Sequence, residues 1–445
     1  MSSGERLHGV EEARDAVLAR VATPDRHERV ATSAALGRVL ARDAVADVTL
    51  PPWDNSAMDG YAILAADVAD AGEEAPARLE VIGEVPAGGV ARQEVRNGSA
   101  IRIATGAPIP PGADAVVPVE LTTPLDAAGT PGPRGRDAVG PVPASILVHA
   151  AIDGGQHVRR RGGDLEAGAT ILKAGSGITP AAIALASGAG LAALDVFEVP
   201  RVAVLATGNE VRAAGTDLGE AGIPDANGPG LRALVAASGA TPVDLGIAPD
   251  DLDDVVGRLR GALEQGVDAV VVAGGVSVGP YDVVKLAFEA VGEIGLWRVA
   301  VQPGKPFAFG TASRPGGGTA LLFGLPGNPV SSFVTFELFV RPAIRALAGR
   351  RDLLRPVDRA VLLDGVRTAP NRRAFLRVTA ERDADGSPAR DEAGRVRVRL
   401  SHGPAGQGSH VLSALAAADG LAVVPEEVET HRAGDPVQLW WLDPA

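Results

Sequence analysis

Apolar and polar residues follow a repeated pattern between residues 201 and 348 of this chain. Each repeat begins with a short apolar run, continues through a turn, and ends in residues with the periodicity of a helix. The apolar runs with their turns are VAVLATGNE (202–210), VDLGIAPDD (243–251), AVVVAGGVSVGPYD (269–282) and ALLFGLPGNP (320–329). The helical patterns span 229–239, 251–265, 281–291 and 330–348. This alternation predicts an α/β domain with a parallel sheet.

Three further helices are predicted outside this region. Apolar residues recur at helical spacing in residues 10–21, and a second helix is expected from about Ser33 to Arg42. Thr179-Pro180 combines an N-cap residue with a first-turn proline, and the helix that it opens should end near Gly188 or Gly190.

Short strands separated by turns predict two β-rich regions. RLEVIGEV (78–85) and SAIRIATGAPIPPGADAVVPVE (99–120) precede the α/β domain, and alternating stretches after Arg355 predict an all-β region at the C-terminal end. Residues 51–63, with two prolines followed by Asp54-Asn55-Ser56, predict an irregular segment. Residues 122–143, biased toward Gly, Pro and Ala, predict a mobile loop.

Composition narrows the class of protein. The chain has 445 residues, which suggests about three domains. Its formal net charge of -13 argues against nucleic-acid binding, because contacts to phosphate need a basic face. The absence of cysteine excludes disulfides and thiolate metal sites. No stretch resembles a signal peptide or a membrane span, so we expect a cytoplasmic protein without a membrane partner.

The turn after residues 270–273 has the composition of an anion site. Its small residues would let backbone N–H groups approach a ligand beside a helix N-terminus. These residues are Gly274, Gly275, Ser277 and Gly279. Asp282 follows, and a carboxylate beside an anion is repulsive unless a divalent cation such as Mg²⁺ lies between them. The same glycines are equally consistent with a plain structural turn.

Three acidic residues follow the ends of predicted strands: Glu210, Asp250 and Asp282. Ligands of parallel sheets bind beyond the carboxyl ends of the strands, so we expect at least two of these residues to hold or orient a divalent cation. Asn328 falls at the same edge. Asp251 adjoins Asp250 and would be an equally suitable N-cap, and Asp225 and Asn227 lie in a similar turn in which a structural role is sufficient.

Eight motifs occur in one order between Pro51 and His410. They are PPWDNSAMDGYA, IATGAPIPPGADAVV, VRRRGGDLEAGA, VLATGNEV, GGVSVGPYDVVK, VQPGKPFAFG, GLPGNPVSS and GQGSH. The ordered set resembles the MoeA family, the molybdopterin molybdenumtransferases of molybdenum-cofactor synthesis, whose relatives include the E domain of gephyrin.

The resemblance implies a multidomain fold that combines α/β and β domains. The implied domains are a helical linker domain (1–50 and 148–178), a small β-rich domain (51–147), a central molybdopterin-binding α/β module (179–350) and a C-terminal all-β domain (351–445). It also implies a homodimer, with each site in a cleft between subunits, and molybdopterin adenylyltransferase as the upstream partner.

The activity implied by the resemblance is the transfer of molybdenum from molybdate to adenylylated molybdopterin. The dithiolene of molybdopterin captures the metal, and Mg²⁺-dependent cleavage of the adenylate releases AMP. The implied catalytic residues are Asp59, Thr105, Asp164, Glu210, Asp250 and Asp282, of which Glu210, Asp250 and Asp282 would bind the metal. The implied substrate-binding residues are Arg159, Gly274, Gly275, Ser277, Gly279, Lys305, Pro326, Gly327, Asn328, Ser331, Arg372 and Ser409.

Several of these residues have a plainer interpretation. Asp59 could stabilise a turn, Thr105 could cap one, and Asp164 could form a solvated ion pair with the neighbouring arginines. Lys305 is favoured as a molybdate ligand because the other lysines are only Lys173 and Lys285, in a chain whose basic residues are otherwise Arg.

Two positions depart from the family pattern. Gln302 stands where many relatives have the first lysine of Lys-Pro-Gly-Lys-Pro, so the oxyanion site has one cation fewer. Asn209 stands where many relatives have Asp, which is a milder change.

Two other functions remain open from the sequence, as does the use of tungstate in place of molybdate. A molybdopterin adenylyltransferase would share the α/β module but would need neither the MDGYA segment nor the C-terminal β domain. A non-catalytic scaffold of the same fold would have no need of Asp59, Glu210, Asp250, Asp282 and Lys305.

Overall fold

The fold is built around three separate six-stranded sheets. Residues 7–22, 25–135, 140–275 and 283–442 are described by the computed structural model. One sheet belongs to the α/β domain, one to the N-terminal β-rich domain and one to the C-terminal β domain, which confirms the predicted multidomain class. None of the helices in the described ranges has the length and apolar character needed to span a bilayer.

The central sheet joins four parallel strands to two antiparallel ones. In spatial order the strands are Thr241–Ala248, Arg201–Thr207, Ala269–Ala273, Thr319–Leu325, Pro306–Ser313 and Glu293–Arg298. The first four are the predicted strands and run parallel, whereas the last two continue the sheet as an antiparallel edge. Ala269–Ala273 is buried along its whole length, as its unbroken apolar run predicts.

Helices cover both faces of this sheet, at the predicted positions. They are Asn227–Ala237, Leu252–Glu264, Val283–Val291 and a long helix made of Pro329–Thr335, a π-helical turn Phe336–Val340 and Arg341–Leu347. One core contains Leu231 and Phe339 with the residues of one sheet face. The opposite core contains Leu259 and Phe288. The domain therefore has three layers, with the carboxyl ends of its parallel strands at one edge.

The N-terminal β-rich domain contains a sheet in the order Ala115–Pro118, Gly60–Ile63, Ser99–Ile103, Ala77–Val85, Ser145–Val148 and Thr122–Leu125. Two predictions of irregular structure are wrong here. Gly60–Ile63 is a strand because Tyr61 and Ile63 are fully buried in the core between two partner strands. Thr122–Leu125 is a strand because it pairs with Ser145–Val148 along its length. Tertiary pairing overrides the weak local propensity.

The linker domain consists mainly of short strand pairs and one α-helix. The pairs are His27–Ala31 with Ala193–Phe197, Ala44–Val45 with Thr170–Leu172, and Asn55–Ser56 with Val158–Arg159. The helix Pro180–Gly188 begins as predicted, with the Thr179 side chain accepting a hydrogen bond from the Ala182 N–H. Asn55–Ser56 was part of the segment predicted to be irregular and is instead a short strand.

The prediction of a helix from Ser33 to Arg42 is wrong. Only Thr32–Ala34 is helical, as a single 3-10 turn, and Gly37 has a φ of 75°. The backbone N–H of Leu40 then donates to Ser176 and that of Ala41 to Asp195. These donors are used between segments distant in sequence, which no local periodicity can reveal.

Two helices pack across the predicted domain limits. The helix Val10–Leu18 buries Val10, Ala13 and Val17 in the core of the α/β domain. The helix Pro180–Gly188 buries Ala182 and Ala186 in the linker core with Leu40. Both helices therefore belong by packing to a different domain from the one their sequence position suggests.

The C-terminal domain is a closed barrel, with strands at the stretches predicted to alternate. Around the barrel the strands are Arg373–Ala380, Val396–Leu400, Val357–Leu362, Pro436–Trp441 and Gly420–Val424, and the last returns to pair with the first. Val301–Gln302 of the α/β domain pairs in parallel with the start of Arg373–Ala380. This pairing joins the barrel to the segment that carries Lys305.

Smaller elements complete the described chain. The short strand pairs are Val211–Arg212 with Ile223–Pro224, and Val366–Arg367 with Thr430–His431. The remaining helical turns are Ala65–Val68, Val119–Leu121, Pro404–Gln407 and the α-helix Leu412–Ala416.

Candidate active site

A cavity of about 830 Å³ opens at the carboxyl edge of the central sheet. The loops that follow the parallel strands line it, as expected for ligand sites in sheets of this kind. Seven of the sequence-predicted site residues are among the lining residues: Glu210, Asp250, Gly274, Gly275, Pro326, Gly327 and Asn328. The lining also includes Asp225 and Asn227, from the turn before a helix, and His410, from the C-terminal domain.

The first two glycines of the predicted anion turn are required by close packing. Gly274 has a φ of 102°, and a Cβ there would lie 2.6 Å from the Thr207 carbonyl oxygen. Gly275 has a φ of 64°, and a Cβ there would lie 2.7 Å from Val284 Cγ2. The structural interpretation of these glycines is therefore sufficient to explain them, and both also face the cavity. Ser277, Gly279 and Asp282 lie outside the described residues.

The two described carboxylates at the strand exits are held differently. Asp250 Oδ2 accepts a hydrogen bond from the Asn209 N–H at 3.2 Å, and the Asp250 N–H donates to Asn209 Oδ1 at 3.1 Å. Glu210 is exposed, and its carboxylate has no partner among the described residues. Asp251, not Asp250, caps the helix Leu252–Glu264 by accepting from the Asp254 N–H. Asp250 is thus left to face the cavity.

The predicted metal ligands are Glu210, Asp250 and Asp282. In the described part of the chain, no group of three or more His, Asp or Glu side chains is close enough to hold a metal ion. Glu210 and Asp250 supply the hard oxygen donors that Mg²⁺ prefers, and they line one cavity. Because Asp282 lies outside the described residues, the three-carboxylate site stays a prediction.

Asp225 and Asn227 do more than shape a turn. Asp225 Oδ1 accepts a hydrogen bond from the Gly228 N–H at 2.8 Å, which fixes the start of the helix Asn227–Ala237. The Asn227 side-chain amide donates to the Gly327 carbonyl oxygen at 2.7 Å. The sequence showed only a turn before a helix, and its contact with the Gly327 loop depends on the tertiary fold.

The four predicted molybdate ligands lie on neighbouring segments. Gly304, next to Lys305, packs against the helix Pro329–Thr335: a Cβ at Gly304 would lie 2.6 Å from Thr335 Cγ2 and 3.4 Å from the Ser331 carbonyl oxygen. The Ser409 carbonyl oxygen accepts a hydrogen bond from the Val330 N–H at 3.2 Å. Arg372 is next to Arg373, whose backbone N–H donates a hydrogen bond to the Ala300 carbonyl oxygen.

Two of these residues keep their charge available. Within the described ranges, neither Lys305 nor Arg372 forms an ion pair. The adjacent Arg373, in contrast, pairs with Glu426 and Glu11. Burial lowers the pKa of Arg373, but the hydrogen bonds to the two glutamates outweigh it and leave the pKa raised. Of the two adjacent arginines, Arg372 is the one free to bind an anion.

Gln302 is tied to the C-terminal domain. Its Oε1 accepts a hydrogen bond from the Ala369 N–H at 2.7 Å. The side chain therefore supports the contact between the domains and brings no charge to the neighbourhood of Lys305.

The loop that carries Ser409 and His410 is fixed by a buried cation. Arg377 is completely buried, and its guanidinium donates to the carbonyl oxygens of Gly406 at 2.8 Å and Gly408 at 3.1 Å. Burial lowers the pKa of Arg377 to about 10. Nothing in the sequence indicates this contact, because an arginine in an alternating strand is expected to face solvent.

A second cluster of predicted residues lies in the N-terminal half, outside the cavity lining. Asp59 Oδ1 accepts from both the N–H (2.7 Å) and the hydroxyl (3.0 Å) of Thr105. Asp54 accepts from Arg160 and from the Arg161 N–H, each at 2.7 Å. Both hydrogen bonds lower the pKa of Asp54, and the one from the Arg161 N–H has the larger effect.

Asp164 and Arg159 are exposed near this cluster, and neither side chain has a hydrogen-bond partner among the described residues. Within one chain, the turn-stabilising interpretation of Asp59 and Thr105 accounts for their mutual bonds. The fold therefore brings the strand-exit residues together at the cavity but does not bring Asp59, Thr105, Asp164 or Arg159 to its lining.

Three models of known protein families match this chain, and together they cover most of it. Residues 8–190 match the MoeA N-terminal region (domain I and II), residues 203–346 a probable molybdopterin binding domain, and residues 359–442 the MoeA C-terminal region (domain IV).

Curated relatives and a solved structure agree with these matches. The chain is 37% identical to molybdopterin molybdenumtransferase 2 of Mycobacterium tuberculosis over 432 residues, which is 96% of this chain and 98% of that protein. It is 32% identical to the molybdopterin molybdenumtransferase of Haemophilus influenzae, covering 97% of each chain. A crystal structure of the moeA protein of Pyrococcus horikoshii matches with a TM-score of 0.76 and 28% identity, over 98% of this chain and all of that one. The chain belongs to the MoeA family of molybdopterin molybdenumtransferases.

Proposed function

We propose that this protein transfers molybdenum from molybdate to adenylylated molybdopterin, with release of AMP. The observation that carries the proposal is the cavity at the carboxyl edge of the sheet, which is lined by Glu210, Asp250 and the Gly274 turn. The segments with Lys305 and Ser409 adjoin this cavity through Pro306 and His410. A nucleotide phosphate and a small oxyanion would thus be recognised at neighbouring places.

Glu210 and Asp250, together with Asp282 from the sequence, are proposed to hold Mg²⁺. The donor set fits this ion, because Mg²⁺ binds carboxylate oxygens and usually phosphate as well. When bound, Mg²⁺ would neutralise charge on the phosphoanhydride that links AMP to molybdopterin. The protein's own contribution is to fix the position of a carboxylate before the ion binds. The two hydrogen bonds between Asp250 and Asn209 do this for Asp250.

Molybdate is proposed to bind between Lys305, Arg372 and the hydroxyl groups of Ser331 and Ser409. Cations and hydroxyl donors are the groups expected around an oxyanion. Asn328 precedes the helix Pro329–Thr335, and its loop lines the adjoining cavity. Gln302 contributes no charge, so a weaker affinity for molybdate is expected than with lysine at this position.

The working form is proposed to be a homodimer in the cytoplasm. Asp59 and Thr105 form a rigid pair that does not line the cavity of its own chain. A second subunit could bring this pair, with Asp164 and Arg159, to the cavity, as the family resemblance implies. Molybdopterin adenylyltransferase is the proposed partner that supplies the substrate.

The two rival functions are less well supported. An adenylyltransferase would not need the N-terminal and C-terminal regions, both of which are present and match the family. A scaffold would have no reason to keep carboxylate and ammonium groups beside a cavity without an ion-pair partner among the described residues, as Glu210 and Lys305 are.

The direct test is to incubate the purified protein with adenylylated molybdopterin, Mg²⁺ and molybdate, and to follow AMP release together with activation of an apo-molybdoenzyme. We expect both, and we expect Asp282→Asn to slow AMP release while excess Mg²⁺ partly restores it. AMP release without enzyme activation would point to a hydrolase. If Asp282→Asn lowers the melting temperature and leaves the Mg²⁺ dependence unchanged, Asp282 is a helix cap.

A further inference from the structure

The wall of the cavity has an imbalance of charge. Its described lining residues include three carboxylates, Glu210, Asp225 and Asp250, but neither lysine nor arginine. Residues 276–282, which are not described, have no Lys, Arg or His in their sequence. His410 is the one described lining side chain that can donate a hydrogen bond with a positive charge. A phosphate in this cavity therefore has few protein cations to bind it.

The backbone around His410 is fixed from three directions. Arg377 donates to the Gly408 carbonyl oxygen, and the Ser409 carbonyl oxygen accepts from the Val330 N–H. The Leu412 N–H donates to the His410 carbonyl oxygen at 3.1 Å. Burial of a guanidinium without a carboxylate partner is costly, and no ion pair to Arg377 exists among the described residues. Three hydrogen bonds therefore anchor the backbone of this loop.

The imidazole lies beside Gly408, where an added Cβ would be 3.0 Å from His410 Cε1. The His410 side chain is exposed, and it makes no hydrogen bond to any described residue. Because the backbone of the loop is already anchored, only the side-chain rotamers of His410 have to be ordered when it binds a ligand. An imidazole presented in this way is suited to a ligand contact and contributes little to the fold.

We propose that His410 binds a phosphoryl group of the nucleotide portion of the substrate, donating a ring N–H to a phosphate oxygen. The inference rests on the proposed function, because the phosphate belongs to adenylylated molybdopterin and to the AMP that is released. The contact holds and orients the phosphate, and no bond is made or broken by the imidazole. It would give the C-terminal domain, which also contributes Leu412 to the cavity wall, a polar contact with the ligand.

AMP is the probe for this inference, with binding measured by calorimetry. We expect His410→Ala to weaken AMP binding about tenfold, the value of one charge-assisted hydrogen bond. His410→Gln keeps an N–H donor and should lose less. Adenosine has no phosphate, so its affinity should be the same for His410→Ala and the unaltered protein. The melting temperature should not change, because the side chain is exposed.

His402 provides the matched control. It is also an exposed histidine close to the loop, but its ring bonds to Ser413 Oγ at 3.3 Å and it is not among the described cavity lining. His402→Ala should bind AMP like the unaltered protein. Equal AMP affinity in His410→Ala and the unaltered protein overturns the inference, as does an equal loss in His402→Ala.

AMP release from adenylylated molybdopterin separates this inference from the function on which it rests. Normal release with an AMP affinity insensitive to position 410 overturns only the role of His410. Absence of both AMP release and AMP binding in the unaltered protein overturns the proposed function and the inference together.

Discussion

The side-chain amide of Asn227 donates a hydrogen bond to the carbonyl oxygen of Gly327 over 2.7 Å. Asn227 is the first residue of the helix Asn227–Ala237, Gly327 lies in the loop after the strand Thr319–Leu325, and both line the same cavity. The bond therefore fixes the separation of two walls of the site.

Removal of this bond should affect ligand binding more than folding. Asn227→Ala should raise the KM for adenylylated molybdopterin about three- to tenfold, the range expected for one neutral hydrogen bond, with a smaller change in kcat. Asn227→Asp should be no better, because a carboxylate cannot donate to a carbonyl oxygen. Steady-state AMP release measures both constants. Asn97→Ala, on an exposed turn of the N-terminal domain, is the control, and an equal effect there would contradict the assignment.

Lys305 should determine the response to molybdate. Lys305→Ala should raise the molybdate concentration for half-maximal cofactor formation tenfold or more, because a charge-assisted contact is worth about 1.5–3 kcal/mol. Binding of molybdopterin should be nearly unchanged. The control is Lys285→Ala, since that ammonium lies 3.9 Å from Glu289 on an exposed helix face. An unaltered molybdate response in Lys305→Ala would leave Lys305 with a structural role between its two prolines.

Gln302→Lys is the converse change. It adds a cation three residues before Lys305 and removes the acceptor of the Ala369 N–H. If charge limits oxyanion binding, this variant should reach half-maximal cofactor formation at a lower molybdate concentration, and more so at low ionic strength. A response identical to that of the unaltered protein would mean that the side chain at 302 serves only the domain contact.

The proposed shared site can be tested by complementation. Asp59→Asn and Glu210→Gln should each be inactive as homodimers. If the two residues act across a subunit boundary, each mixed dimer has one intact site, so an equal mixture after subunit exchange should recover about a quarter of full activity. If both residues act within one chain, no activity should return. A monomeric mass in light scattering with full activity would refute the dimer itself.

The Glu426 carboxylate should make the C-terminal barrel sensitive to acid. Hydrogen bonding to Arg373 lowers the pKa of Glu426 more than burial raises it. A lowered pKa contributes stability that is present above the unfolded value of about 4.3 and is lost as pH falls through the folded value. Glu426→Gln should therefore unfold at lower urea concentration than the unaltered protein at pH 7, and the difference should shrink below about pH 4.3.

The neighbouring exposed residue supplies the control for this experiment. Glu427 forms no ion pair among the described residues, and Glu427→Gln should unfold at the same urea concentration as the unaltered protein at either pH. A difference between Glu426→Gln and the unaltered protein that stays constant with pH would show that the ion pair with Arg373 is not its origin.

The sequence alone predicts the α/β core and the β-strands of the C-terminal domain, whereas the closure of those strands into a barrel comes from the structure. The runs ending in Thr207, Ala273 and Leu325 are strands because they are apolar throughout and are followed by turns, and this pattern is local. The same order of strand and helix placed Glu210 and Asp250 at one edge of the sheet, because parallel strands end at the same side.

Tertiary structure decided the elements whose backbone partners are distant. Residues 33–42 had a helical pattern, yet Leu40 and Ala41 donate to Ser176 and Asp195. Thr122–Leu125 had a loop-like composition, yet it pairs with Ser145–Val148. In both places a weak local preference was outweighed by hydrogen bonds and burial that exist only after the chain has folded.

Tertiary structure also decided which side chains share the cavity. Asn227 meets Gly327 across 100 residues of sequence, and Arg377 fixes the Gly408 loop from inside the barrel. Neither contact leaves a signal at the level of spacing, because hydrophobic periodicity reports only which face of an element is buried. It cannot report which loop lies opposite, and so the sequence predicted the carboxylates that line the cavity, while the fold added Asn227 and His410 to its lining.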